Sequence, residues 1–433
     1  MARVVVVGGG FGGLASAARL AKLGHEVTLL EAGDTLGGAL GTVAQDGFSW
    51  DTGPTWTTLP GVLRDLFRKS GRPLDAELDL VELPLLREHR FDDDSVLRLP
   101  GGSRAAQLAA VDELGPGLGR QWVDHVASYA DAWEVVRRGY AEAPWDPDAV
   151  PKELAALLDG RETLHKRLRR TFRDERLRLV AAHASEMEGH DLRNVPAWVG
   201  LTAYLEQRFG VWTVDGGMGR LADALTARLA TRGVTVVLGS EVRDLVVRGG
   251  RAVAVDTLAG QVDADVVVVA IDPRRLPVLA EHVRATMPAL PPVVAHLGLE
   301  GEVPDLPHEV VLHGDPTIVV RTGGTAPEGH HAWTVMARGR LAEDLVIALA
   351  RTGIKVRQQV VTRLDRSARD QVELWRGSPM GVLWQGRRTV RQRLGPRTPV
   401  PGVLAAGAHA APGGGLAFVG LSASLVAQVV GPA

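Results

Sequence analysis

Residues 4–7 are four consecutive valines, the β-branched run of a strand covered on both faces of a parallel sheet. Glycines follow at 8, 9, 10, 12 and 13. Residues 14–23 then carry a helical pattern that stops at Gly24, a residue suited to a helix C-cap. Residues 27–30 form a second apolar run, so the chain opens with strand, glycine turn, helix and strand. Asp51-Thr52-Gly53-Pro54 marks a turn. From about residue 60 to 200 the pattern changes to helical segments and polar loops, interrupted by Pro144, Pro147, Pro151 and Pro196. A helix over 221–229 runs through Gly233 into a short strand at 234–238. Residues 242–247 and 252–257 flank Arg248-Gly249-Gly250-Arg251 and predict a hairpin. Residues 266–270 are again a buried-strand run. Strands and helices mix over 276–394, and a Pro/Gly-rich stretch at 395–402 leads into an apolar run at 403–406 and a last glycine turn and helix.

Rossmann-like pieces thus stand at the start, middle and end of the chain. The simplest arrangement is an α/β fold with one nucleotide-binding domain assembled from segments 1–85, 205–275 and 395–433. An interleaved α+β substrate domain then takes 86–204 and 276–394. A length of 433 residues agrees with two cores.

Composition narrows the class. An apolar fraction of 45% and a charged fraction of 23% are those of a soluble globular protein. The balance of 49 basic against 51 acidic residues gives no electrostatic case for nucleic acid. The absence of cysteine excludes disulfides, thiolate metal sites, iron–sulfur clusters and a cysteinyl-flavin bond. The four-valine run is too short for a signal peptide, and no stretch approaches the roughly 20 apolar residues of a membrane span. A cytoplasmic protein is expected, with peripheral membrane contact left open. The histidines show no ligand spacing such as H-E-x-x-H, so no metal is expected. No G-x-S-x-G elbow supports a hydrolase.

Gly8, Gly10 and Gly13 form G-x-G-x-x-G between a strand and a helix. In that setting the first glycine permits a tight turn, the second lets backbone approach a pyrophosphate, and the third lets helix pack on strand. The helix N-terminus adds N–H groups and partial positive charge. Glu31, at the end of the second strand, is placed to accept from ribose hydroxyls and disfavours a 2′-phosphate. These features allow NAD as readily as FAD. Gly37-Gly38-Ala39 and Gly53-Pro54-Thr55 add two more close backbone approaches, which suit a longer, extended cofactor.

Four blocks make the sequence resemble the flavoprotein amine oxidase superfamily, and within it the bacterial phytoene desaturase (carotenoid desaturase) type. They are residues 4–53 with Gly37-Gly38, Gly-Val-Trp at 210–212 running into Gly216-Gly217-Met218-Gly219, Ala326-Pro327-Glu328-Gly329-His330, and Gly407-Ala408-His409 followed by Gly413-Gly414-Gly415. The resemblance spans nearly the whole chain and implies FAD. It assigns the ADP half to Gly8, Gly10, Phe11, Gly12, Gly13 and Glu31, with Gly38 and Ala39 at the pyrophosphate and Gly53, Pro54 and Thr55 near the flavin. Val242 would clamp the adenine through its backbone, and Gly407, Gly415, Leu416 and Phe418 would surround the pyrophosphate and isoalloxazine. A helix beginning near Ala417 would point its N-terminus at the flavin. The family usually has arginine where this chain has Ala39, a loss comparable to one charge-assisted hydrogen bond, roughly 1.5–3 kcal/mol.

The implied reaction is desaturation of a long isoprenoid or polyene such as phytoene, with hydride passing to flavin N5 and electrons leaving to oxygen or a quinone. No second dinucleotide fingerprint supplies a nicotinamide domain. The alternatives are a flavin amine oxidase, a redox-neutral carotenoid isomerase, and a non-catalytic isoprenoid carrier of the Rab GDP-dissociation inhibitor kind. Only three tyrosines are available for the aromatic cage of an amine oxidase, although there are ten tryptophans. No catalytic base is identified; His183, His190 and Tyr204 precede the Gly-Val-Trp block, and His330, His331 and His409 lie in or beside the later ones. In segment 161–178, Leu164, Leu168 and Phe172 form an apolar stripe among Lys166, Arg167, Arg169, Arg170 and Arg173. Either the stripe meets an anionic lipid surface or it faces the core and the arginines are solvated.

Overall fold

The computed structural model describes residues 1–146 and 148–433; Pro147, read above as a loop interruption, lies outside the described residues. Strand β1 (Arg3–Val7) is central in a five-stranded parallel sheet with β2 (Glu26–Leu30), β3 (Thr235–Val237), β4 (Val266–Val269) and β5 (Val403–Ala405) in the order β5-β4-β1-β2-β3. Val4 and Val6 face a helical layer, whereas Val5 and Val7 face a core shared with the hairpin Val242–Arg248/Arg251–Thr257 and the helix Pro277–Val283. Two covered faces explain why every valine of the run is apolar.

The helical layer contains α1 (Phe11–Lys22), α2 (Pro60–Ser70), α3 (Gly219–Thr231) and α4 (Leu416–Val430), with α1 touching the other three. Helix α1 starts three residues earlier than the apolar pattern suggests, because Phe11, Gly12 and Gly13 form its first turn. Those glycines read as turn residues, but the open N-terminus of α1 has to sit directly against the β1 turn.

A second, seven-stranded sheet runs Val360–Arg366, Val293–Glu300, His330–Arg338, Thr317–Arg321, Glu309–Leu312, Leu85–Arg90 and Val96–Pro100. Its neighbours are antiparallel except the pair Glu309–Leu312 and Leu85–Arg90. Helix Leu345–Arg351 covers one face. A helical cluster spanning residues 104–209 carries its own core around Trp122, Tyr129, Phe172 and Trp384. The strands at Leu85–Arg90 and Val96–Pro100 fall inside the stretch read as helices and loops. Their signal is hidden because Leu85–Arg90 carries Arg87, Glu88 and His89, all buried, where a strand pattern calls for apolar residues.

In segment 161–178 the apolar stripe faces the core, the second of its two readings. The segment forms Leu164–Thr171 and then Glu175–Met187, with Asp174 capping the second helix through Arg176 N. Leu164, Leu168 and Phe172 are 1%, 2% and 0% exposed in the helical core, so the stripe is not available to a membrane. Arg167 lies over the Tyr129 ring, while Lys166, Arg169, Arg170 and Arg173 remain at the surface. Among the described residues no helix is long and apolar enough to cross a membrane.

Candidate functional site

The β1–α1 turn is built around close backbone contacts. Gly8 adopts φ +100°, and its N–H donates to Leu30 O at 2.8 Å. A Cβ on Gly13 would lie 1.8 Å from Gly8 O, and one on Gly12 would lie 2.8 Å from Gly407 Cα. Helix and strand, and the two ends of the chain, therefore approach as only glycine allows. Gly10 differs: its φ of −69° suits any residue, and a Cβ there would meet nothing within 4 Å. The fold gives no reason for glycine at 10, and the open space above it is what a bound pyrophosphate would fill.

Glu31 receives the N–H of Gly9 at 2.6 Å and that of Gly33 at 2.7 Å, one on each carboxylate oxygen. Its orientation is fixed by the turn, and its remaining lone pairs are free for hydroxyl donors. Ser240 N donates to Glu31 O and Gly239 N to Gly33 O, which brings buried Val242 beside the acid. Gly37 N donates to Gly9 O, and a Cβ on Gly38 would stand 3.1 Å from Gly10 Cα. The half-buried Ala39 accepts from Thr52 Oγ1 through its carbonyl, and a Cβ on Gly53 would lie 2.1 Å from that oxygen. Pro54 continues this turn, and Thr55 is 8% exposed with an Oγ1 that has no partner.

At the C-terminal end, Gly407 N donates to Ser422 Oγ of α4 at 2.8 Å. Gly415 (φ +88°) precedes Leu416 and Phe418 in the first turn of α4, whose Val419 reaches Gly12. Close contacts thus link the glycine turn to Glu31, to Gly37-Gly38 and to Gly407 and the start of α4, and link Gly53 to Ala39. The unfilled space at Gly10, the orphan Thr55 hydroxyl and the oriented acid fit an extended dinucleotide.

Asp51 was read only as a turn residue. Its carboxylate accepts the N–H groups of Met218 and Gly219, each at 2.9 Å, and so caps α3. Burial raises its pKa while those two bonds oppose the rise. The Gly216-Gly217-Met218-Gly219 block thereby serves the turn that carries Gly53, a link that spacing alone does not reveal. Ala326 to His330 similarly supports the hairpin Thr42–Gln45/Phe48–Asp51, with Ser49 paired to Thr325 and Phe48 edge-on to His330.

Two buried polar clusters were not anticipated. Arg87, from the second sheet, donates to Glu206 at 2.7 and 3.2 Å and to Glu309 at 3.1 Å. Glu309 also accepts from Arg321 at 2.7 Å and from the Trp56 indole at 3.2 Å. Burial works to raise the Glu309 pKa, but Arg321 and Arg87 outweigh it and hold the carboxyl well below its ordinary range. Beyond Arg87, His89 Nδ1 and His313 Nε2 lie 2.8 Å apart, with His183 edge-on to His89. Of the other candidates, His190 lies within 3.4 Å of Trp384 N, His409 contacts Ser378 O, Tyr204 is half-buried and His331 is exposed.

The histidines make an acid-sensitive fold. Burial pushes His313 down to about 4, and burial followed by Arg167 or Arg366 does the same to His125 and His296. An unfolded histidine titrates near 6.5, so between about 6.5 and 4 the unfolded chain binds protons that the folded one refuses. Their stability contribution is present above pH 6.5 and is lost as pH falls toward 4, by roughly 2 kcal/mol per group at pH 5. Thermal unfolding at pH 7.5 and 5 checks this: the melting temperature drops, and an unchanged value would contradict the assignment.

The family model described as flavin containing amine oxidoreductase matches residues 11–430. The chain belongs to this family. It is therefore a flavin-dependent oxidoreductase by descent. Hydroxyneurosporene desaturase of Cereibacter sphaeroides is 31% identical over 484 residues, covering 99% of this chain and 97% of that protein. 4,4'-Diapolycopene oxygenase of a Methylomonas species is 29% identical over 72% of this chain and 66% of its own length. A neurosporene-forming phytoene desaturase of Cereibacter sphaeroides is 31% identical over 60% of this chain and 51% of its own length. Among solved structures, a putrescine oxidase variant matches at TM-score 0.72 and 17% identity, covering 99% of this chain and 98% of its own. An oxidoreductase from Methanosarcina mazei matches at TM-score 0.68 and 18% identity, over 98% and 100% of the two chains. Those structural likenesses show the fold alone.

Proposed function

We infer that this chain is an FAD-dependent desaturase of a carotenoid precursor or a similar long isoprenoid. The observation that carries the reading is the end-to-end likeness to a desaturase of that class, at 31% identity over 99% of the chain. FAD, rather than a shorter flavin, is supported by Glu31, whose carboxylate is oriented at the far end of the glycine turn where an adenosine ribose would sit. When bound, the flavin takes up the two electrons and the hydrogen released as a CH–CH bond becomes a double bond. The chain's own task is to hold and orient: Gly8 to Gly13 and the α1 N-terminus receive the phosphates, Gly53 to Thr55 and the start of α4 border the ring system, and the packed helical cluster excludes water. Oxygen or a quinone would reoxidise the cofactor.

An amine substrate is disfavoured by the end-to-end likeness to a carotenoid desaturase and by the three tyrosines of the whole chain, few for an aromatic cage. The reading is tested on purified protein: an absorption band at about 450 nm, and released cofactor that phosphodiesterase converts to the more fluorescent mononucleotide. Ala39→Arg supplies the missing cation and should tighten flavin retention about tenfold, read as the dissociation constant in a reconstitution titration. Peripheral membrane attachment would run through the exposed Lys166, Arg169, Arg170 and Arg173. Co-sedimentation with anionic but not neutral vesicles supports it, and equal binding to both excludes it.

A further inference from the structure

One face of the second sheet carries a polar row across its strands. Residues paired on neighbouring strands share a face, and the register sets His296 opposite Thr334, Thr334 opposite Arg321, and Arg321 opposite Glu309. Arg87 continues the row on the next strand through its bond to Glu309. Two residues along the same strands, about 7 Å away, the adjoining row is apolar: Val294, Met336, Val319 and Val311, packed on Met187. The residues between the two rows turn to the opposite face, against the helix Leu345–Arg351.

The polar row is closed at its ends and open in its middle. His296, Glu309 and Arg87 are each 2% exposed. Thr334 is only half-buried, and the Arg321 side chain is 19% exposed. Yet their strands are the third and fourth of seven, where a sheet face is ordinarily best covered. The segment 51–56 borders this opening. The Trp56 indole donates to Glu309, Arg321 acts electrostatically on Asp51, and Asp51 to Pro54 and Trp56 are themselves half-buried. The opening therefore lies between the sheet and the turn that carries Gly53 and Thr55.

Arg321 presents unused donors there. Its Nε donates to Glu309 at 2.7 Å, and neither Nη1 nor Nη2 makes a hydrogen bond among the described residues. The guanidinium is nonetheless fixed in place, because Glu309 is held in turn by Arg87 and Trp56. Charge decides what it receives. Arg321 and Arg87 stand among three carboxylates, Asp51, Glu206 and Glu309. Burial pushes His183 and His308 down, so both are uncharged at neutral pH. No positive charge is left over for an anion, and a cation would meet only N–H groups. A neutral oxygen acceptor fits both conditions.

We propose that Arg321 determines specificity by donating to a hydroxyl or carbonyl oxygen at one end of the polyene, so that an oxygenated polyene is turned over in preference to the hydrocarbon of the same skeleton. This rests on the desaturase reading above and narrows its substrate class. A site built to hydrogen-bond such an oxygen discriminates against the analogue without it, because its donors are then left unpaired.

The flavin-loaded whole chain is assayed with two polyenes of one skeleton, one ending in a hydroxyl and one not. The wild type should favour the hydroxylated polyene about tenfold in kcat/KM, the worth of one charge-assisted hydrogen bond, with the difference carried by KM. Arg321→Met should bring that ratio close to one. Arg321→Lys should do the same, since its single ammonium is occupied by Glu309, and it decides the matter if Arg321→Met does not fold. A wild type that turns over both polyenes equally, or prefers the hydrocarbon, overturns the proposal. So does either variant, folded and flavin-loaded, that keeps the full preference. A flavin-loaded wild type that converts neither polyene overturns the desaturase reading instead.

Discussion

Gly10→Ala will leave the apoprotein as stable as wild type yet unable to retain flavin, whereas Gly13→Ala will lose both properties. The contrast follows from what each added methyl meets. At 13 it lands 1.8 Å from Gly8 O, a backbone atom of the buried β1 turn that cannot rotate away. Overpacking against backbone costs about 3 kcal/mol or more, and the β1–α1 packing has to shift. At 10 the methyl enters open space, so only an incoming pyrophosphate meets it. Apoprotein melting temperature and flavin reconstitution, measured together on both variants, check this. If Gly10→Ala binds flavin normally, the phosphates do not lie over that turn.

Arg87→Met will destabilise the protein by about 3–5 kcal/mol. The substitution leaves Glu206 and Glu309 buried, and the residual Arg321 pairs only with Glu309. The loss is the desolvation of a stranded charge rather than the strength of the pair itself. Replacing Arg87 and Glu206 together by apolar residues of similar volume should therefore cost less than Arg87→Met alone, since Glu309 keeps Arg321. Urea unfolding of the three proteins measures it. A single-variant loss below about 1 kcal/mol would mean that water reaches this cluster.

The nucleotide-binding half was legible because its signals are local. A four-valine strand, a glycine turn and a terminal acid lie within 31 residues, and each has a backbone reason in the fold. The strands at 266–269 and 403–405 were equally visible, as apolar runs with covered faces, and the hairpin was visible from the Gly249-Gly250 turn between two β-branched runs. The second sheet was harder to read. Leu85–Arg90 places Arg87, Glu88 and His89 in the interior; Glu88 is paired locally with Arg90 and Arg98, but Glu206 and Glu309, the partners of Arg87, and His313, the partner of His89, come from segments more than a hundred residues away. Charges neutralised by distant partners look like surface in sequence. The same applies to Leu164, Leu168 and Phe172, whose apolar stripe is identical whether it faces lipid or core. Only the packing of Trp122 and Tyr129 against them decides it.

Asp51 shows how a functional position can hide in a turn motif: it caps α3 and so ties Gly53 to the glycine block near 217.

The central claim is tested most directly by product mass. The flavin-loaded protein should be expressed in a host that makes phytoene or its shorter C30 analogue, with Gly10→Ala as the control. The account predicts products lighter than the substrate by two hydrogens for each double bond introduced, and unchanged substrate with the control. A flavin-containing protein that returns both substrates at unchanged mass, isomerised or not, would contradict it.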